Sequence, residues 1–155
     1  MDIQIIDKRK EIISLKAEFG GRYFAEPLAI KRAAEIWGAT CNEHGVLLEG
    51  KEEMVVEIGR CNGVIKFAET SKGYWLIGLS GNTAIGGFGY APSIWDQQGF
   101  ASYDDARAFG IEKLIAYFER EAVTKNSCSS QSNKDNARKA AEHLKGERTP
   151  QLSLF

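Results

Sequence analysis

Residues 53–69 read Glu53-Met54-Val55-Val56-Glu57-Ile58-Gly59-Arg60-Cys61-Asn62-Gly63-Val64-Ile65-Lys66-Phe67-Ala68-Glu69. Met54, Val56 and Ile58 alternate with Val55, Glu57 and Gly59, a period of two that places successive side chains on opposite faces of a strand. Asn62-Gly63 then supplies the dipeptide that tolerates positive φ at both central positions of a type I′ turn, which predicts a hairpin with Val64, Ile65, Phe67 and Ala68 on the return strand. Ser71-Lys72-Gly73 reads as the next turn and Tyr74–Leu79 as a third strand. Gly81-Asn82 turns the chain into Ala84–Tyr90, so an antiparallel meander of about four strands is expected over roughly residues 53–90.

Helical patterns flank this stretch. Ile5, Ile6, Arg9, Ile12, Ile13, Lys16 and Phe19 keep a three-to-four spacing that ends at Gly20-Gly21, predicting a helix over 3–18. Pro27 suits a first helical turn, and the apolar spacing from Ala29 to Trp37 before Gly38 predicts a second helix over 27–37. Beyond the strands, Ser102 stands three residues before Asp105, the spacing of an N-cap, and opens a long apolar-faced helix that must pack on the sheet. The fold class is therefore α+β: N-terminal helices, a meander, a packing helix, then a flexible tail, with residues 1–120 as a single domain. Residues 121–150 open on the polar run Thr124–Asn133 and read as a flexible linker, with a short helix over 134–145 open to it. As a coil, the roughly 29 residues from 122 to 150 would span about 30 Å.

Composition bounds what such a chain can do. Of 155 residues 43% are hydrophobic and 26% charged, ordinary for a globular protein, with sixteen glycines against three prolines. Twenty Lys plus Arg against 21 Asp plus Glu leave a net charge of -1, so no global positive field draws the chain to nucleic acid or anionic membrane. No apolar run is long enough for a membrane span, and the start Met1-Asp2-Ile3-Gln4 is not that of a secretory signal, so a cytoplasmic protein without membrane contact is expected. Three thinly spread cysteines, Cys41, Cys61 and Cys128, suit free thiols in a reducing compartment.

Chemistry-bearing patterns are sparse. Cys41 and His44 with Cys61 have zinc-binding residue types, but a structural site takes four ligands, so neither a metal nor another cofactor is expected. The glycines at 78, 81, 86, 87 and 89 are followed by no Gly-Lys-Ser/Thr and no helix, so they read as sheet glycines rather than a phosphate loop. Asp104-Asp105 sits at a helix start, where carboxylates favour the macrodipole, and no catalytic residues are assigned. Tyr74 and Trp75 could stack bases beside Arg60, Lys66 and Lys72, and these five are the candidate nucleic-acid residues of the folded domain. The order of elements resembles that of double-stranded-RNA-binding or AP2-like modules, whose basic signature motifs this chain lacks.

The sequence finishes Gln151-Leu152-Ser153-Leu154-Phe155, two leucines and a phenylalanine behind a polar stretch. An exposed cluster of this kind either packs in cis or serves as a peptide ligand. Gln-Leu-Ser-Leu-Phe resembles the peptide motif by which polymerases, mismatch-repair proteins and other clients dock on the bacterial DNA sliding clamp, and all five positions fit that pattern. The resemblance implies that Leu154 and Phe155 fill a deep apolar pocket, Gln151 sits at a polar entrance, Leu152 covers the shelf between, and Ser153 faces solvent. It implies a non-enzymatic accessory or regulatory protein of replication or repair, or one by which a phage or mobile element takes over replication. A small clamp-localised DNA-processing enzyme, or a nucleic-acid-binding module, is the alternative. The partner is then the sliding clamp, with DNA or another replication protein as a further partner of the folded domain.

Overall fold

The computed structural model describes residues 2–148. It is α+β, with strands β1 (Ile5–Asp7), β2 (Lys51–Ile58), β3 (Cys61–Glu69), β4 (Trp75–Thr83), β5 (Gly86–Gly89) and β6 (Gln98–Phe100). The helices are α1 (Arg9–Phe19), α2 (Pro27–Trp37), α3 (Tyr103–Ala122) and α4 (Gln131–Glu147), with a 3-10 segment at Gly20–Ala25. The sheet runs β1-β6-β4-β3-β2, and β5 pairs with β4. Two-residue and five-residue connections between β2, β3 and β4 permit only antiparallel neighbours, and β1–β6, β4–β5 and β4–β6 are antiparallel as well. The meander expected over residues 53–90 is thus present as β2–β5.

The chain groups into two compact units, each assembled from several segments. The first takes residues up to Lys51, Lys66–Gly78 and Ala91–Ala106. Its core is Ile12 and Leu15 of α1, Ala33 and Trp37 of α2, and Leu47, Ala68, Leu76 and Ile94. Ala29, Ala33 and Trp37 recur every four residues, so one stripe of α2 is buried. Helix α2 opens on Pro27 and closes on Gly38, whose left-handed conformation (φ 73°) lets its N–H reach the Ala34 carbonyl at 2.8 Å. The absence of a side chain at Gly99 lets Trp37 lie against β6: a Cβ there would stand 2.8 Å from Trp37 Cζ3.

The expected helix over 3–18 begins six residues late. Ile5, Ile6 and Asp7 pair with Phe100, Gly99 and Gln98, and the Asp7 carboxylate then accepts the Arg9 N–H at 2.9 Å, turning the chain into α1. The β-branched isoleucines serve a strand ladder, and the Asp side chain competing for backbone N–H sets the boundary.

The second unit takes Glu52–Ile65, Leu79–Tyr90 and the chain from Arg107 onward. Ile111, Leu114, Ile115 and Phe118 of α3 are buried here. At Gly63 a Cβ would stand 3.1 Å from Leu114 and 3.4 Å from Phe118, and at Gly81 3.0 Å from Tyr117. These contacts correct both expected turns. Asn62-Gly63 lies inside β3 and Gly81-Asn82 inside β4, while the chain reverses at Gly59-Arg60 (Gly59 φ 58°) and at Ala84-Ile85. The glycines admit α3 to the sheet, and the two asparagines hydrogen-bond each other, Asn82 Nδ2 donating to Asn62 Oδ1 at 3.1 Å. Ser71-Lys72-Gly73 does lie in a turn, with Gly73 at φ 78°.

Residues 121–150, read from the sequence as a linker with a short helix over 134–145 open to it, carry a longer and partly buried helix. Residues 131–147 form α4, whose Asn133, Ala137, Ala140, Ala141 and Leu144 are buried within the second unit. The Ser130 hydroxyl caps the helix by accepting the Asn133 N–H at 3.1 Å. Asn133 in turn donates to the Ser129 hydroxyl at 2.8 Å and accepts the Ala84 N–H at 2.9 Å. Alanines at one face bring a helix close enough for such a polar anchor, so tertiary packing stabilises a helix that is marginal alone.

Candidate functional site

Ion pairs tie the C-terminal end of α4 to α3. Arg107 of α3 donates Nε to both Glu53 oxygens at 3.1 and 3.0 Å and reaches Glu147 at 3.4 Å. Both carboxylates hold the guanidinium charged, pushing its pKa up, with the Glu53 hydrogen bond the largest cause. Lys145 meets Glu119 at 3.1 Å, and Arg148 donates to Glu112 at 2.9 and 3.1 Å. Helix α4 therefore ends bound to α3 on the side that leads to the last residues of the sequence. The candidate partner-binding residues Gln151, Leu152, Ser153, Leu154 and Phe155 lie outside the described residues, as do Thr149 and Pro150 between them and Arg148.

The five candidate nucleic-acid residues are placed in separate settings. Arg60 is exposed at the β2–β3 turn of the second unit. Lys66, Lys72, Tyr74 and Trp75 belong to the first, where Lys72 Nζ donates to the Ile36 carbonyl at 3.2 Å. Tyr74 packs edge-on against Trp37, with ring centroids 6.2 Å apart and Lys8 Nζ 5.7 Å from its ring. Trp75 instead meets Phe67 and Tyr103, at 6.5 and 5.5 Å. The neighbouring rings therefore serve different packing groups. Lys51 lies over Tyr103 at 4.2 Å, a cation–aromatic contact the sequence did not single out.

Sequence reasoning also missed Asp96. Its carboxylate accepts the Ser93 N–H at 3.3 Å, and its backbone carbonyl accepts Trp37 Nε1–H at 3.2 Å. Burial pushes its carboxyl up to about 7, against the smaller opposing effects of the Ser93 hydrogen bond and the Lys16 charge. Beside it, Trp95 meets Tyr23 edge-on with ring centroids 4.8 Å apart, and the buried Trp95 Nε1 has no hydrogen-bond partner. Nothing in the local sequence Ser93-Ile94-Trp95-Asp96 signals this, because Lys16, whose charge acts on the carboxylate, and Trp37, which donates to the Asp96 carbonyl, are distant along the chain.

Of the zinc-type residues, Cys41 is in the first unit, His44 is exposed beside Glu43 at 3.4 Å, and Cys61 is buried near Asn133 in the second unit. Among the described residues no three His, Cys, Asp or Glu side chains group as for a metal ion, and no helix is long and apolar enough to cross a membrane. Two open hollows of about 500 and 420 Å³ border α1; the second is lined by Glu11, Glu18, Glu35 and Arg32, of which Arg32 and Glu18 pair with each other. No family model, curated protein or solved structure matches this chain.

Proposed function

We propose that this protein is a non-enzymatic client of the bacterial DNA sliding clamp, acting as an accessory or regulatory factor in replication or repair, or for a phage or mobile element that takes over replication. The observation that carries the reading is the pentapeptide Gln151-Leu152-Ser153-Leu154-Phe155, which fits all five positions of the clamp-docking pattern. Its chemistry supports the same reading: three apolar side chains, each worth about 1.5 to 3 kcal/mol on full burial, and an amide able to donate and accept at the groove edge. Ordering the peptide consumes part of that energy, so an affinity of about -8 kcal/mol or weaker, micromolar, suits the peptide alone. Such a partner places the protein in the bacterial cytoplasm. Equilibrium binding of purified sliding clamp to the full chain and to a chain lacking residues 151–155 tests it. Micromolar binding abolished by the deletion is expected; equal binding of both chains, or binding by neither, refutes the reading.

A further inference from the structure

The fixed end of α4 changes what clamp binding would mean. A client on a coil of some 29 residues could hang about 30 Å from its docking peptide. Here Ala137, Ala140, Ala141 and Leu144 are buried, Asn136 lies beside Gly59 at the β2–β3 turn, and Arg148 is tied to Glu112. Only Thr149 and Pro150 stand between Arg148 and Gln151, and three residue steps of fully extended chain cover at most about 11 Å.

We infer that when the peptide occupies the clamp groove, the surface around the C-terminal end of α4 abuts the clamp beside that groove. This rests on the clamp reading above. The surface carries Glu112 and Lys113 of α3, His143 and Glu147 of α4 and the capping Arg148, charged groups compatible with a wet, polar rim contact. The occupant it fits is the clamp itself, because the short connection leaves no room for another protein between the second unit and the groove. A clamp subunit so occupied is sterically closed to a second bulky protein at that place. The protein then acts by exclusion rather than by reaching outward from the ring.

Covalent side-chain labelling tests this on the full chain bound to purified clamp. The exposed groups of Glu112, Lys113 and His143 are expected to lose reactivity in the complex, and the clamp to lose reactivity over a larger area than with the free peptide Gln-Leu-Ser-Leu-Phe. A variant with about twenty Gly/Ser residues inserted after Arg148 restores full reactivity at all three groups while still binding the clamp, since such a linker spans roughly 25 Å. Unchanged reactivity of the three groups in a wild-type complex that forms overturns the inference alone. Failure of wild type and insertion variant alike to bind overturns the clamp reading and this inference with it.

Discussion

Arg148, which caps α4, donates to both carboxylate oxygens of Glu112 on α3, at 2.9 and 3.1 Å. The pair is 41% and 45% exposed, so it directs the helix end more than it stabilises it. The apolar contact one turn earlier does the anchoring: Leu144 has no exposed surface. Leu144→Ala is expected to cost about 2 to 4 kcal/mol in urea unfolding, and Arg148→Ala about 0.5 kcal/mol or less. A larger loss for Arg148→Ala would mean that α4 is held by charge.

Arg107 is the more consequential cation, 23% exposed and shared by Glu53 and Glu147. Arg107→Ala removes the guanidinium between two carboxylates on different elements and is expected to destabilise the protein by about 2 kcal/mol. Arg107→Lys keeps the charge without the planar fork and should recover only part of the loss. Chemical denaturation of the three proteins at low and high salt measures both effects; full recovery by lysine would contradict the geometric role.

Asp96 predicts a pH dependence with a definite sign. Its carboxyl is raised from 3.8 to about 7, so the folded protein holds a proton there that the unfolded chain has released. The stabilisation is therefore complete below about pH 4, declines as pH rises through the interval, and is gone above about pH 7. Asp96→Asn cannot ionise and keeps an oxygen for the Ser93 N–H, so it should match the parent at pH 4 and exceed it at pH 8, by on the order of 3 kcal/mol. Unfolding midpoints of both proteins at the two pH values decide it, and parallel profiles would show that burial does not raise the Asp96 carboxyl.

Some of this architecture was legible because the signals were local. Pro27 and Gly38 bracket α2, and the Ser102 hydroxyl accepts the Asp105 N–H at 3.1 Å at the start of α3. The turns shifted because Asn62-Gly63 and Gly81-Asn82, strong hairpin dipeptides in isolation, answer to a long-range demand: glycine beneath α3 and asparagine paired with asparagine. Helix α4 was underestimated because its buried face is mostly alanine with an asparagine, which contributes little to any hydropathy pattern. Of the candidate site, the terminal pentapeptide was readable as sequence, whereas Asp96 and the Arg107 bridge exist only through contacts between distant segments.

Competition for the clamp groove tests the central claim most directly. Purified sliding clamp carrying a fluorescent polymerase-derived docking peptide is titrated with the wild-type chain, Leu154→Ala and Phe155→Ala, with unfolding curves confirming that all three are equally folded. Wild type should displace the peptide at micromolar concentrations, and either alanine should weaken displacement by about 2 kcal/mol or more, roughly thirtyfold, through lost apolar burial. Undiminished displacement by the folded Phe155→Ala protein, or none by wild type, would contradict the account.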